Sequence, residues 1–343
     1  MNLSKYQCPN CHQSRWETYS TLWRCEGCGQ IYPCVNGIPK LYIEGRIGQR
    51  DRELRDYFYD GLLGTYYQRL MPFLSLPVRP ARTYWKGWVV YVLMVLILLA
   101  LLGNLTSLLF VHNPLRFAIV KISAILLFLF VGYFFIKHPY VLALIVVAIP
   151  VRISILLNRF RPAVSFAEIH SQLIQDFLDS KEKLQILDIS TGTCNSLYRH
   201  GWMRLNADYT GLDLSQTMLL QGQELMAKRQ VPMDFVLGDA TRLPLQSESF
   251  DIVLNYGALN GFENPQLALE EMARVTKSGG LVLFLDEQLY ESASFVERLY
   301  FKTVLSSHNM IHHCPVELMP ASLGNIKVHQ IYHFYYLCTS YKK

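Results

Sequence analysis

The chain has 343 residues, which is long enough for two domains. It is 51% hydrophobic and only 17% charged, and its formal net charge is +5. This small positive charge, without a basic stripe interleaved with aromatic residues, argues against a protein built chiefly to bind nucleic acid. The apolar residues are concentrated in one internal block, so the sequence predicts segments of different character along the chain.

Two Cys-x-x-Cys pairs lie near the N-terminus. They are Cys8 and Cys11 in YQCPNC, and Cys25 and Cys28 in WRCEGC. Each pair can present two thiolates to one point, so the four together can bind a tetrahedral Zn²⁺ ion; disulfide bonds are the alternative in an oxidising compartment. A four-cysteine site leaves no coordination position for a substrate, so the predicted zinc is structural. Residues 1–45 are therefore predicted to form a zinc ribbon, with Cys34 outside the ligand set.

Residues 46–84 are predicted to form an amphipathic helical connector. Its apolar and aromatic face consists of Tyr57, Phe58, Leu62, Leu63, Tyr66 and Tyr67. From the residues alone, this segment is a linker helix whose aromatic face packs on a core.

Residues 85–160 hold the apolar block, predicted to form transmembrane or interfacial helices. Residues 88–111 carry no charged side chain, a run of 24 that can cross a hydrocarbon core of ~30 Å. Residues 117–136 form a second apolar run, interrupted only by Lys121 near its start, and residues 140–157 form a weaker third one with Pro150 and Arg152 inside it. We expect a helical hairpin from the first two, with the third at the interface. Three buried core helices, or a third full crossing, are the alternatives.

Positive residues flank the block on both sides. Arg79, Arg82 and Lys86 precede it, and Arg152, Arg159 and Arg161 close it. Because positive residues favour the cytoplasmic side, both flanks are predicted to face the cytoplasm. The N-terminal MNLSKYQCPNC lacks the features of a signal peptide, so the block is expected to be retained. These observations predict a multi-pass membrane protein with the lipid bilayer as a partner.

Residues 161–343 alternate helical and strand patterns. FAEIHSQLIQDFLDSKEK is predicted to be a helix that packs on a sheet, and four short apolar runs follow it. These runs end at Asp188 in LQILDISTGTCN, at Asp213 in YTGLDLS, before Asp239 in DFVLGDATRLP and at Tyr256 in FDIVLNYGALN. Ligands of open α/β sheets bind outside the carboxyl ends of the strands. The segment therefore predicts a doubly wound, mostly parallel α/β sheet with a nucleotide-type pocket.

The four motifs, in this order, resemble the class I S-adenosylmethionine (SAM)-dependent methyltransferases. PQLALEEMARVTKSGG also matches the helix and glycine turn of that family. The resemblance implies a seven-stranded Rossmann-like sheet and SAM as the cofactor. In the first loop a small non-glycine residue precedes Thr191-Gly192-Thr193, which is similar to the quinone-ring C-methyltransferases of ubiquinone and menaquinone synthesis. Asn195 stands where an aspartate is common in that group.

The resemblance also implies roles for individual residues. The first loop would approach the amino-acid end of the cofactor with Asp188, Ser190, Gly192, Thr193 and Cys194. Further along, Asp213 would accept both ribose hydroxyls, Leu214 would cover the adenine, and Asp239 with Ala240 would meet the adenine amino group. Asn255 and Tyr256 would face the transferred methyl group. A degenerate loop on an inactive fold is the alternative.

Two N-terminal features carry a related resemblance. GQIYPCVNGIPKLY resembles zinc ribbons that are fused to, or bound against, methyltransferases, including some that modify rRNA. The connector is similar to an N-terminal helix with a YD…Y pattern that lies over the cofactor in many methyltransferases. If it does so here, the apolar block is an insertion between that helix and the catalytic core.

Three histidines follow the predicted fifth strand, in the segment where such enzymes build a substrate lid. His308, His312 and His313 are candidates for a catalytic base, with surface or structural histidines as the alternative. The whole sequence thus predicts a membrane-anchored SAM-dependent methyltransferase with a structural Zn²⁺ ion and a lipophilic small-molecule substrate: a quinone precursor, an isoprenoid or another lipid. The alternatives are an rRNA or tRNA methyltransferase and a catalytically inactive scaffold. Nucleic acid is not expected as a partner.

Overall fold

The computed structural model describes residues 3–65, 166–178, 182–302 and 311–343. These residues fall into two compact units. Residues 294–300 belong to the second unit, and all the other described residues belong to the first.

The strands of the first unit form two sheets. The N-terminal sheet contains β1 (Trp16–Thr18), β2 (Leu22–Cys25), β3 (Ile31–Val35) and β4 (Ile38–Pro39) in that order. The larger sheet contains β5 (Leu184–Ile189), β6 (Ala207–Asp213), β7 (Met233–Leu237), β8 (Phe250–Tyr256), β9 (Thr276–Glu287), β10 (Leu323–Tyr332) and β11 (Tyr335–Lys342).

The helices of the described residues are short. They are α1 (Gln49–Glu53), α2 (Leu62–Thr65), α3 (Phe166–Leu178), α4 (Asn195–Arg199), α5 (Gln216–Lys228), α6 (Pro265–Val275) and α7 (Phe295–Tyr300). A π-helix covers Leu54–Tyr59, and 3₁₀ turns cover Leu3–Lys5, Glu44–Arg46, Trp202–Arg204, Leu259–Gly261 and Val316–Leu318.

The larger sheet has seven strands in the order β10-β11-β9-β8-β5-β6-β7. The five strands from β9 to β7 are parallel, whereas β11 is antiparallel to both β9 and β10. The strands are nearly continuous apolar runs because helices cover both faces: α3 and α4 pack on one, and α6 on the other. The fold is therefore a Rossmann-like α/β fold with a mixed seven-stranded sheet, which confirms the predicted fold class for this part of the chain.

The N-terminal sheet shares its core with the larger one. Tyr6, Trp16 and Trp23 pack ring against ring, with centroids of the paired rings about 5.4–5.5 Å apart. The same hydrophobic cluster includes Leu212 and Val236 of the larger sheet. The Leu41 amide also donates to the carbonyl of Leu237 at the end of β7, with N and O 2.8 Å apart. The two sheets therefore depend on each other for burial of apolar surface.

A buried lysine reinforces this contact. Lys5 is only 6% exposed, and its Nζ lies 2.7 Å from Thr210 Oγ1 and 2.8 Å from Asp234 Oδ2. Replacing Lys5 with alanine is expected to lower the free energy of unfolding by about 2 kcal/mol, because two hydrogen bonds of a buried ammonium are lost. Chemical denaturation measures this difference.

The matched control is Lys183→Ala. Lys183 is largely exposed, and its Nζ lies 2.6 Å from Asp208 Oδ1. Exposed ion pairs contribute little, so a loss of about 0.5 kcal/mol is expected. Equal losses for the two variants would show that the Lys5 contact does not anchor the N-terminal sheet.

The predicted membrane localisation is corrected by one finding. Within residues 3–65, 166–178, 182–302 and 311–343, no helix combines the length and apolarity needed to cross a membrane. The longest helices there, α3 and α5, have 13 residues each, which span about 20 Å against a hydrocarbon core of ~30 Å. This contradicts the prediction of a multi-pass membrane protein with catalytic and zinc domains facing the cytoplasm, and that prediction is withdrawn. The apolar segments on which it rested, 88–111, 117–136 and 140–157, lie outside the described residues.

The connector is helical over its described part, from α1 through the π-helix to α2. Its predicted aromatic face is only partly realised, because Tyr57 is 83% exposed. Residues Tyr66 and Tyr67 of that face lie outside the described residues.

Candidate functional site

The residues predicted to bind a nucleotide-type ligand meet at one edge of the larger sheet. Four adjacent strands, in the order β8-β5-β6-β7, run parallel, so their carboxyl ends lie side by side. The predicted residues follow these ends: the loop after β5, Asp213 at the end of β6, Asp239 two residues beyond β7, and Asn255 with Tyr256 at the end of β8. The structure therefore gathers the predicted site residues at one place.

The loop after β5 has an unusual backbone. Ser190, Gly192 and Cys194 all have positive φ angles, of 54°, 53° and 58°. This left-handed conformation favours glycine, so the two non-glycine residues are strained and are held by their surroundings. Cys194 N donates to the carbonyl of Thr191, 2.9 Å away. The three positions predicted to be glycine-like from the sequence are the three that turn left-handed.

Two acidic side chains are close to this loop. Asp188 is 1% exposed, and its Oδ2 accepts the Thr191 hydroxyl at 2.6 Å. Burial, with a smaller contribution from nearby Asp213, raises the pKa of Asp188 to about 7. Burial also raises the pKa of Asp213 to about 6, and the negative charge of Asp60 adds to the effect. Both groups therefore favour a cationic neighbour.

Asp213 connects the loop to the next helix. Its Oδ2 accepts the Gly192 amide at 2.8 Å, and its Oδ1 accepts the Ser215 amide at 2.9 Å. Ser215 caps α5, and its Oγ accepts the Met218 amide. Leu214, next to Asp213, is half-buried. The Asp213 carboxylate therefore holds both the loop after β5 and the start of α5, which follows β6.

Asp239 organises the loop after β7. It is 6% exposed, and its Oδ1 accepts both the amide and the hydroxyl of Thr241, each at 2.8 Å. Burial raises the pKa of Asp239. Ala240 beside it is buried and presents only a methyl group.

Asn255 and Tyr256 point to opposite faces of the sheet, as successive strand residues do. Asn255 is fully buried: its Nδ2 donates to the carbonyl of Ile189 at 3.0 Å, and its Oδ1 accepts the Leu259 amide at 3.2 Å. The Tyr256 hydroxyl contacts Trp202 and His170. The polar atoms of both residues thus bond to neighbouring protein groups. Thr193 Oγ1 likewise accepts a bond from Asn195, 2.8 Å away.

Of the three histidines predicted as candidate bases, the two that the structure describes lie at the surface. His312 and His313 are exposed, and His313 Nε2 lies 3.0 Å from Glu317 Oε1. His308 lies outside the described residues. No base is assigned among them by these contacts.

The connector supplies residues that were not predicted. Asp60 Oδ1 accepts the Ser215 hydroxyl at 2.6 Å and the Thr217 amide at 2.9 Å. Asp51 Oδ1 accepts the Glu263 amide at 3.0 Å, beyond the end of β8. The connector therefore contacts both the loop after β8 and the start of α5, which follows β6. Because β5 lies between β8 and β6 in the sheet, these two contacts lie on either side of the end of β5. The YD pattern at Tyr59-Asp60 was the signal for this contact.

The four N-terminal cysteines form a compact cluster. The Sγ atoms of Cys8, Cys11, Cys25 and Cys28 all lie within 4.8 Å of one another. The Cys8–Cys28 and Cys11–Cys25 sulfurs are 3.7 and 3.5 Å apart. Zinc–sulfur bonds of ~2.3 Å in a tetrahedron give sulfur–sulfur edges of about 3.8 Å. The donor set and its spacing fit a tetrahedral ion, and all four cysteines are free thiols.

The core of this site matches known proteins. Residues 187–284 match the family model described as a methyltransferase domain. The demethylmenaquinone methyltransferase of Paenarthrobacter aurescens is 35% identical over 116 residues, which cover 34% of this chain and 43% of that protein. The phthiotriol/phenolphthiotriol dimycocerosates methyltransferase of Mycobacterium tuberculosis is 44% identical over 82 residues, which cover 23% of this chain and 29% of that protein. The chain thus spans less than half the length of these curated relatives.

A solved structure, the phosphoethanolamine N-methyltransferase 2 of Haemonchus contortus with S-adenosyl-L-methionine, matches with a TM-score of 0.41 and 16% identity. The match covers 51% of this chain and 52% of that chain, and at this score it carries no argument. The family match and the curated relatives carry the conclusion. The chain therefore contains a methyltransferase domain over residues 187–284, and the curated relatives that it matches are methyltransferases.

Proposed function

We propose that the chain binds SAM at the carboxyl edge of β5, β6 and β7 and transfers its methyl group to a lipophilic small molecule. The observation that carries the proposal is Asp213, whose carboxylate holds the amides of Gly192 and Ser215 at 2.8 and 2.9 Å. A carboxylate at the end of the second strand can accept two ribose hydroxyls, as in dinucleotide-binding folds. The left-handed loop beside it would let the backbone approach the amino-acid end of the cofactor.

The charge of the site also suits SAM. The cofactor carries a sulfonium and an ammonium group, and the pocket edge holds the carboxylates of Asp188, Asp213 and Asp60. Asp239 and Ala240 would border the adenine, and Leu214 would cover one of its faces. Other predicted residues would support the cofactor site through their backbone conformation or their hydrogen bonds to neighbouring groups. They are Ser190, Thr193, Cys194, Asn255 and Tyr256.

When bound, SAM supplies an electrophilic methyl group on a positively charged sulfur. The protein then has to hold the acceptor in line with that methyl group and to exclude water. A phenolic or quinol acceptor also needs a base, for which His308, His312 and His313 remain candidates.

SAM binding is expected to strengthen as the pH rises from about 5.5 to about 7.5. The pKa values of Asp188, about 7, and Asp213, about 6, lie above the ordinary aspartate pKa of 3.8, so the ligand-free folded protein holds protons that freely solvated carboxyls would have released. These two groups therefore lower the stability of the ligand-free protein as pH rises through this range. A cationic ligand favours the ionised carboxylates, so binding releases protons, and we expect about a ten-fold gain in affinity.

Calorimetric titration at pH 6 measures this proton release in two buffers with different ionisation enthalpies. A binding enthalpy that depends on the buffer, with the sign of proton release, is the expected result. Proton uptake, or an affinity that does not change with pH, would contradict the assignment of these carboxylates to the cofactor site.

The acceptor class is inferred from the relatives. Their names concern demethylmenaquinone and phthiotriol or phenolphthiotriol dimycocerosates, which are lipophilic molecules. We therefore propose a quinone precursor, an isoprenoid or another lipid as the acceptor. We also propose that Cys8, Cys11, Cys25 and Cys28 bind one structural Zn²⁺ ion, for which their sulfur spacing is suitable.

Methyl-labelled SAM incubated with the full chain and a cell extract tests the proposed function. We expect label in the organic-soluble fraction and none in RNA. Label in RNA would overturn the lipophilic acceptor. If the chain binds SAM but no fraction of an extract that supplies both lipid and RNA becomes labelled, the result would favour a catalytically inactive scaffold.

A further inference from the structure

A buried asparagine joins the turn after β8 to the neighbouring strands β9 and β11. Asn260 belongs to the 3₁₀ turn Leu259–Gly261 and is 0% exposed. Its backbone amide donates to Asp286 Oδ2 at 2.9 Å, and its Nδ2 donates to the carbonyl of Glu287 at 2.8 Å. Asp286 and Glu287 are the last two residues of β9. The backbone and the side chain of Asn260 are therefore both bonded to the carboxyl end of that strand.

The partners of Asn260 fix the orientation of its side-chain amide. The Glu287 carbonyl can only accept, so it takes a proton from Nδ2, and Oδ1 accepts the Tyr336 hydroxyl at 3.0 Å. Burial raises the pKa of Tyr336, so its hydroxyl keeps the proton that it donates. The Asn260 carbonyl accepts the amide of Ile311, 3.4 Å away. Every polar group of Asn260 is thus bonded, and the bonds reach β9, β11 and the segment that contains Ile311.

The turn adjoins the proposed cofactor site from one side. The Leu259 amide bonds to Asn255 Oδ1, and Asn255 Nδ2 bonds to the carbonyl of Ile189, the residue before the left-handed loop. Six adjacent strands have the order β11-β9-β8-β5-β6-β7. The residues proposed for the ribose and the adenine follow β6 and β7, whereas Asn260 is bonded to β9 and β11. Asn260 therefore acts on the part of the edge that lies away from the ribose and adenine positions.

We propose that Asn260 is a positioning residue for methyl transfer, which holds the turn after β8 in the place that the transfer step requires. This inference rests on the proposed function. The turn begins three residues after Tyr256, which with Asn255 is expected to face the transferred methyl group. Methyl transfer needs the reacting atoms in line, and a displacement of ~1 Å can slow a reaction about 100-fold. Replacing Asn260 with alanine removes both side-chain bonds, so the turn would lose its fixed position against β9 and β11.

Two measurements on the full chain test the proposal. The first is the initial rate of label transfer from methyl-labelled SAM, at saturation, to an organic-soluble cell extract, and the second is S-adenosylhomocysteine affinity by calorimetry. Asn260→Ala is expected to slow transfer about 30-fold and to change the affinity by less than about three-fold. Tyr336→Phe, which keeps the ring and removes one bond to Asn260, is expected to slow transfer about five-fold. The double variant is expected to be no slower than Asn260→Ala, because both replacements remove the same bond.

Asn264→Ala is the matched control. Asn264 lies in the same loop but is exposed, and its Oδ1 caps α6 by accepting the Leu267 amide at 3.1 Å. Loss of a helix cap destabilises a protein, so this variant is expected to have a lower melting temperature and the transfer rate of the wild type. If Asn264→Ala slowed transfer as much as Asn260→Ala, reduced stability would explain both results and the positioning role would be refuted.

The remaining outcomes separate this inference from the proposed function. Wild-type transfer with an unchanged rate in Asn260→Ala would refute the positioning role alone. Equal losses of rate and S-adenosylhomocysteine affinity would also refute it, because Asn260 would then act through the cofactor site. If Asn260→Ala does not fold, an unchanged rate in Tyr336→Phe refutes the positioning role. A wild-type chain that transfers no label to the extract would refute the proposed function itself.

Discussion

Asp213→Ala is expected to weaken SAM binding about 100-fold. The replacement removes a carboxylate that can accept the ribose hydroxyls, and hydrogen bonds to a charged group contribute about 1.5 kcal/mol or more each. It also releases the Gly192 and Ser215 amides, which the carboxylate holds at 2.8 and 2.9 Å. The loop after β5 and the start of α5 would then lose their common anchor. Isothermal titration calorimetry measures the affinity, with far-ultraviolet circular dichroism to verify the fold.

Asp208→Ala is the matched control for this variant. Asp208 lies on the same strand, near its amino end, and pairs with the exposed Lys183 at 2.6 Å. Its replacement is expected to change SAM affinity by less than about two-fold. Wild-type affinity in Asp213→Ala, or the same loss in both variants, would remove Asp213 from the cofactor site.

Cys25→Ser is expected to release the bound zinc and to lower the melting temperature of the whole chain by about 10 °C or more. Structural zinc sites contribute a large part of the folding free energy of small ribbons. Cys25 is fully buried and belongs to the same hydrophobic cluster as Leu212 and Val236 of the larger sheet. Unfolding of the ribbon would therefore expose apolar surface of the methyltransferase domain, and a loss of a few kcal/mol corresponds to a shift of this size.

Cys34→Ser provides the control for the metal site. Cys34 is half-buried on β3 but is not one of the four clustered thiols. We expect it to retain one zinc per chain by atomic emission and to keep a melting temperature close to that of the wild type. An unchanged melting temperature in Cys25→Ser would contradict the shared core, and an equal zinc loss in Cys34→Ser would contradict the ligand set.

The sequence predicted the parts of the site that depend on local pattern. Buried parallel strands are continuous apolar runs, so the positions of Asp188 and Asp213 at strand ends could be read from the chain. Ser190, Gly192 and Cys194 were expected at glycine-like positions, and their positive φ angles match that expectation. The cysteine cluster could also be predicted from local pattern, because the two cysteines of each Cys-x-x-Cys pair lie on one short turn.

Contacts between distant segments could not be predicted in this way. Asp60 bonds to Ser215 across 155 residues, and His170 bonds to Tyr256 across 86. In the sequence His170 is one histidine in an amphipathic helix, and nothing nearby indicates its partner. The opposite orientations of Asn255 and Tyr256 follow from strand alternation and could have been predicted. The predicted membrane localisation was wrong, because no helix among the described residues is long and apolar enough to cross a membrane.

A crystal structure of the chain with S-adenosylhomocysteine tests the central claim most directly. We predict the ribose hydroxyls on the Asp213 carboxylate, the adenine beside Asp239 and Ala240, and the amino-acid end against the loop from Ser190 to Cys194. S-adenosylhomocysteine bound elsewhere, with Asp213 still bonded only to the Gly192 and Ser215 amides, would contradict the proposed cofactor site.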